Sequence, residues 1–146
     1  MAKTIHYSDL PTDRTYEHGL KIEFGINDHT VGAKRVVMGH TIIPAGSRNQ
    51  RHFHKNNEAS FYIVRGRLRL MIGEGDRYWE KEVVPGTFCY VEQGEIHGLI
   101  NLSDTEDAEL IFCYGGISNK EQAGTTHVDS IDVVDAHLAK KGIKLT

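Results

Sequence analysis

From Tyr16 to Tyr114 the chain is cut into short β-prone runs by turn residues at close intervals, and that rhythm excludes most folds. Within Tyr16 to Phe24, Leu20, Ile22 and Phe24 alternate with Lys21 and Glu23, the period-two pattern of a half-buried strand. Asn27-Asp28 is turn chemistry. Arg35 to Ile43 reads as a strand that Pro44-Ala45-Gly46 ends, with His40 inside it as a packed or surface side chain. Phe61 to Ile72 holds two strands broken at Arg65-Gly66-Arg67, and Gly73 to Asp76 turns the chain into a return strand over Arg77 to Val84. Thr87 to Val91, Ile96 to Asn101 and Glu109 to Tyr114 follow in the same manner. No helical pattern alternates with these runs, so the expectation is an all-β sandwich or barrel over 16–116.

The flanks differ. Residues 1–15 are polar and predict an arm or edge segment. In the tail, 117–146, Ser118 to Ala123 suits a single helical turn ended by Gly124. From Asp129 or Ser130, Ile131, Val134 and Leu138 recur at helical spacing, with Lys140 and Lys141 in the last turn and Gly142 past it. At 146 residues the whole fits one domain.

A net charge of −3 gives no electrostatic reason to expect nucleic acid or an anionic membrane as partner. No apolar run approaches a membrane span, and Met1 to Tyr7 lacks the apolar core of a signal peptide. Cys89 and Cys113 each sit in an apolar run and read as small core residues of a cytoplasmic protein. Neither a Ser-His-Asp order nor a phosphate-binding glycine loop is visible, which disfavours nucleophilic hydrolysis and nucleotide use.

One stretch carries chemistry. His52 and His54 stand two apart, so in extended chain they point the same way, and Glu58 follows four residues later. A divalent metal can bind both imidazoles, and His97 offers a third. A polar, metal-free patch in a binding barrel is the other reading of the same residues. His127 and His137 are expected to be non-ligands.

These residues resemble the cupin family. Gly46 is followed by five residues, His52-Phe53-His54, three residues and Glu58, as in the first cupin motif. Gly86, five residues on, leads to Glu92-Gln93-Gly94, then His97 and Asn101, as in the second. The resemblance implies a jelly-roll barrel, the cupin double-stranded β-helix, in which His52, His54, Glu58 and His97 ligate a divalent transition metal. Fe(II) is favoured, with Mn, Ni or Zn as alternatives; such a donor set suits these ions better than calcium or magnesium. Cupins are often dimeric, and a tail helix needs a partner, so a homodimer is expected. Two departures stand out. Glu92 replaces the usual proline, and seven residues rather than six separate Glu58 from Gly66, which puts Ala59 at the motif position. A one-residue shift turns a strand side chain to the opposite face unless a bulge absorbs it.

Candidate catalytic residues are Tyr62, Arg69 and Tyr90. Arg69, with Arg67 on the same strand face, would hold a substrate carboxylate if buried, or lie on the solvent face if not. Tyr62 and Tyr90 are either donors to a reacting oxygen or core tyrosines with a hydroxyl at the rim. Gln50 and Asn101 are candidates to orient ligands. By analogy with small cupins the leading function is a non-haem iron dioxygenase acting on a small molecule. The alternatives are a non-redox isomerase, lyase or decarboxylase, and a small-ligand-binding cupin that turns over nothing.

Overall fold

A computed structural model describes residues 1–128. Its strands are β1 (Lys21–Ile26), β2 (Val36–Ile43), β3 (His52–His54), β4 (Glu58–Arg65), β5 (Leu68–Ile72), β6 (Trp79–Val83), β7 (Phe88–Val91), β8 (His97–Asn101), β9 (Ala108–Gly115) and β10 (Thr125–His127). They form two five-stranded antiparallel sheets, in the orders β1-β2-β9-β4-β7 and β10-β3-β8-β5-β6. Neighbours in each sheet are mostly distant in sequence, so the chain crosses repeatedly between the sheets, as a jelly roll requires.

Period-two patterning decides which face of each strand is covered. In β4, Ala59, Phe61 and Ile63 are buried while Glu58, Ser60 and Tyr62 are exposed. β9 alternates in the same way, burying Ala108, Leu110, Phe112 and Tyr114. Ile43, Ile63, Leu68 and Ala108 have no solvent-accessible surface and belong to the core cluster shared by the two sheets. Gly66 carries the chain from β4 toward β5 with φ 89°, and a Cβ there would lie 2.7 Å from that of Ala108. Only glycine meets both demands.

The extra residue before Gly66 is taken up by a bulge. β4 pairs with β9 in register from Glu58 to Ile63, then the register shifts before Arg65. Alternation upstream of the bulge is undisturbed, so Ala59 faces inward and Glu58 outward.

The run expected as a strand from Tyr16 begins instead at Lys21. Glu17 to Leu20 is a turn, closed by Leu20 N–H donating to Glu17 C=O at 3.1 Å. Gly19 sits in it at φ 78°, and a Cβ there would meet Ser47 Oγ at 2.7 Å. Glu23, expected on the solvent side, is buried, with its carboxylate 3.7 Å from His40. The turn after Ser118 forms as a 3₁₀ segment over Lys120–Ala123, capped by the Asn119 side chain and ended by left-handed Gly124. β10 was not expected; it pairs with β3, Thr125 opposite His54 and His127 opposite His52. The tail helix expected from Asp129, and His137 within it, lie outside the described residues. Cys89 and Cys113 are free thiols, the first buried and the second half-buried.

Candidate metal centre

Two strands of the second sheet bring the three histidines together. β3 and β8 pair with His52 directly opposite His97. Ring centroids are 4.3 Å apart for His52 and His97, 5.1 Å for His52 and His54, and 5.2 Å for His54 and His97. All three are buried, and one ring nitrogen from each lies within 4.8 Å of the others.

Their hydrogen bonds decide which nitrogen faces the common point. His52 Nδ1 lies 2.9 Å from the Gln50 carbonyl and His97 Nδ1 2.9 Å from the Glu95 carbonyl. A carbonyl has no proton, so each Nδ1–H must donate, which leaves each Nε2 as the nitrogen available to the common point. His54 Nδ1 lies 2.8 Å from Thr125 Oγ1, which is itself 2.6 Å from the Tyr16 hydroxyl. Such anchoring fixes ring orientation and tautomer, the arrangement that ligating histidines require.

Burial, and next the neighbouring His52, lower the His54 pKa to about 4. His97 is held well below its ordinary value, chiefly by burial and then by the other two rings. Both are therefore neutral near pH 7, and neutral imidazole is the ligating form.

A buried carboxylate, Glu17, adjoins the cluster through His52; with His52 and His127 it forms a second group whose ligand atoms lie within 4.8 Å of one another. Its side chain is buried, with Oε1 3.1 Å from His52 Nε2. Asn49 Nδ2 donates to Oε2 at 3.1 Å, and His127 Nε2 lies 3.8 Å from the same oxygen. Burial alone would raise the Glu17 pKa, but His52, His127 and Asn49 outweigh it and hold the carboxyl below its usual range. The nearby Glu17 carboxylate raises the His127 pKa, against the effect of burial. His127 thus stands beside the centre, where β10 delivers it by pairing with β3.

These groups form the polar end of a cavity of about 60 Å³. Leu20, Ile22, Phe61, Leu110 and Phe112 supply apolar wall, and Tyr114 stacks near His54 at 4.8 Å between centroids. No lysine or arginine is among the described residues that line it.

Several expected site residues lie elsewhere. Glu58 is on the outer face of β4, where its carboxylate accepts from the Tyr90 hydroxyl at 2.7 Å, and Ala59 takes the inward position. That removes Glu58 from the cluster, because the bulge lies downstream of it and leaves its parity unchanged. Tyr62 and Tyr90 share the outward parity and are 37% and 60% exposed. Arg69 points away from the cavity and lies 3.8 Å from Glu80, and Arg67 pairs with Glu82 at 2.6 Å. Of the two expected orienting residues, Gln50 acts through its carbonyl. Asn101 ties the Ile43, Pro44 and Glu106 carbonyls together. The orienting side chains that sequence reasoning missed are Asn49 and Thr125. Their only signal is proximity to motif residues for Asn49 and a β-branched pair, Thr125-Thr126, for β10.

The Cupin domain profile matches residues 39–114, more than half of the chain, and the chain belongs to the cupin family. No curated protein sequence matches it. Among solved structures it is similar to the polyketide cyclase RemF from Streptomyces resistomycificus, with TM-score 0.72, 20% identity, and coverage of 94% of this chain and 93% of that one. It is also similar to oxalate decarboxylase from Lactobacillus farciminis, with TM-score 0.72 and 14% identity over 97% of this chain and 43% of that one. The Bacillus subtilis oxalate decarboxylase gives TM-score 0.72 and 17% identity over 100% of this chain and 40% of that one. The chain thus spans well under half the length of the decarboxylases. Likeness at these identities concerns the fold.

The donor set itself fits a metal. His52 Nε2 faces a buried carboxylate, Glu17, whose Oε1 has no hydrogen-bond partner. Imidazole and carboxylate together suit a divalent transition ion.

Proposed function

We propose that the chain is a metal-dependent enzyme acting on a small organic molecule, with a non-haem Fe(II) dioxygenase as its leading form. The observation that carries this reading is the set of imidazoles with Nδ1 tied down and Nε2 free at the polar end of a small apolar cavity. His52, His54 and His97 would hold the ion. A divalent ion there supplies Lewis acidity, and a redox-active one adds electron transfer to oxygen.

The chain's own residues set the rest. Leu20, Ile22, Phe61 and Phe112 exclude water and favour an apolar body on the substrate. With no lysine or arginine among the described lining residues, a free carboxylate finds no bidentate partner in the wall. A substrate that chelates through neutral or enolisable oxygens, such as a β-diketone or a catechol, fits better.

A second reading, non-redox isomerase or lyase chemistry, is favoured by Tyr114. Burial, with Tyr16 and Glu17 beside it, holds its hydroxyl well above the usual phenol range, so Tyr114 keeps its proton in a hydrogen bond with Tyr16 while its ring lies against His54. Such a donor can stabilise an enolate oxygen.

Elemental analysis of protein purified without chelator, followed by turnover assays with small β-diketones and catechols under air and under nitrogen, tests both. Turnover that needs oxygen supports the dioxygenase. Turnover under nitrogen moves the assignment to non-redox chemistry. Metal-free protein that binds none on addition leaves only a ligand-binding cupin.

The assembly proposed is a homodimer in a reducing, cytoplasmic setting. Tyr62, Val64, Phe88 and Tyr90 place exposed apolar surface on the outer face of the first sheet, Phe88 at 84% exposure, and both thiols are free. A monomer mass in solution at micromolar concentration would count against the dimer.

A further inference from the structure

We propose that Glu17, from the turn ahead of β1, is the carboxylate ligand of the centre, in place of Glu58. The inference rests on the metal-dependent reading above and deepens it: the donor set becomes His52, His54, His97 and Glu17, with its carboxylate drawn from outside the motif region.

The argument is one of unmatched acceptors. Glu17 is 4% exposed, and its Oε1 has no hydrogen-bond donor. That oxygen stands 3.1 Å from His52 Nε2. His52 already spends an Nδ1–H on the Gln50 carbonyl, so its Nε2 is the nitrogen turned toward the carboxylate oxygen. His97 is tied in the same way and adds another ring nitrogen nearby. His52 belongs to two clusters of potential ligands, one with His54 and His97 and one with Glu17 and His127, so a divalent cation held at His52 Nε2 by the three rings lies next to Glu17 Oε1.

The local structure holds Glu17 in this pose. Asn49 is 3% exposed; its Oδ1 accepts from Leu99 N–H at 2.8 Å and its Nδ2 donates to Glu17 Oε2 at 3.1 Å. One carboxylate oxygen is thereby anchored to β8, the strand that carries His97, and the other is left facing the rings. The turn at Gly19 is locked by Ser47 Oγ donating to the Gly19 carbonyl at 2.9 Å. From β4 the cavity receives Ala59 and Phe61, both apolar, so no donor from the motif position competes.

Cobalt(II) titration of the metal-free full chain separates the possibilities, comparing wild type, Glu17→Gln and Glu58→Gln. Visible absorption and chelator competition give the spectrum and Kd, and thermal unfolding of each metal-free form is recorded in parallel. Expected are one tightly bound cobalt in wild type, the same Kd and spectrum in E58Q, and a changed spectrum with at least roughly tenfold weaker binding in E17Q. Metal-free E17Q should unfold below metal-free wild type, because the folded protein favours the ionised carboxylate, so cobalt affinity and spectrum decide ligation. If E17Q binds cobalt within twofold of wild type with the same spectrum, Glu17 is not a ligand and the histidine centre still stands. A lowered unfolding temperature in metal-free E17Q with unchanged cobalt binding would make Glu17 a structural partner of its buried neighbours and not a ligand, which also overturns the proposal. Wild type that binds no cobalt overturns the metal-dependent reading itself. Should E17Q fail to fold, Glu17→Asp replaces it: a shifted cobalt spectrum supports ligation and an unchanged one overturns it.

Discussion

The two ends of the space between the sheets are built from the same strands with opposite chemistry. At one end His52, His54, His97, Glu17 and Asn49 converge, each buried and polar. At the other, Ile43, Ile63, Leu68 and Ala108 fill the core with no accessible surface. β4 and β9 run through both ends, and their inward positions change from Ala59 and Tyr114 beside the histidines to Ile63 and Ala108 beyond. The apolar end holds the sheets together through burial, to which each side chain contributes independently of orientation. The polar end works only if each group is aimed, and its aim comes largely from flanking segments: Tyr16 and Glu17 before β1, Thr125 and His127 in β10. A barrel can therefore be stable at one end while its chemistry depends on contacts that contribute little to its stability.

If this division holds, His97→Ala abolishes bound metal while circular dichroism and solubility remain those of a folded barrel. Stoichiometric metal in that variant would remove His97 from the ligand set. At the apolar end, Leu68→Ala lowers stability in denaturant by about 2–5 kcal/mol, the cost of a cavity at a fully buried leucine, and leaves cobalt affinity unchanged. A parallel loss of affinity would show that the ends are coupled.

Acid probes the polar end of the metal-free protein. The folded His54 pKa lies at about 4, against an ordinary 6.5, with burial the main cause. Between these values the unfolded chain binds the proton and the folded one does not, so stability falls as pH drops from about 6.5 toward 4. His54 alone contributes roughly 2 kcal/mol of loss between pH 7 and 5, and His97 acts in the same direction. Denaturant midpoints at the two pH values measure the effect, and His54→Gln should shrink it. A pH-independent midpoint in wild type would mean that the rings are not held neutral by burial.

The smallest effect tests the flank. Thr125→Val removes the hydroxyl that holds His54 Nδ1 and should weaken cobalt binding by roughly tenfold with little change in stability. Unchanged affinity would mean that β10 supports the fold and does not aim the ring.

Much of this architecture is legible along the chain. Alternation in the strands that became β2, β4, β5 and β9 already separates inward from outward residues, and the paired outward parity of Glu58 and Tyr62 follows from it. The displaced motif position of Ala59 was a readable warning about Glu58. What could not be read was the location of the bulge near Val64, since a register shift depends on the partner strand as well as on the strand itself. Glu17 looked like part of a strand because Leu20, Ile22 and Phe24 carry its pattern forward, and only the turn at Gly19 breaks it.

The order of residues by itself determined the all-β class, the strand faces and the spacing that sets His52 and His54 on one side, because these follow from the two-residue period of extended chain. Tertiary structure alone decided which carboxylate reaches the histidines and which groups hold their rings. Those contacts join Glu17, Asn49, His97 and Thr125 across different strands and loops, and such long-range neighbours are set by sheet pairing and the closure of the barrel, which no local pattern encodes.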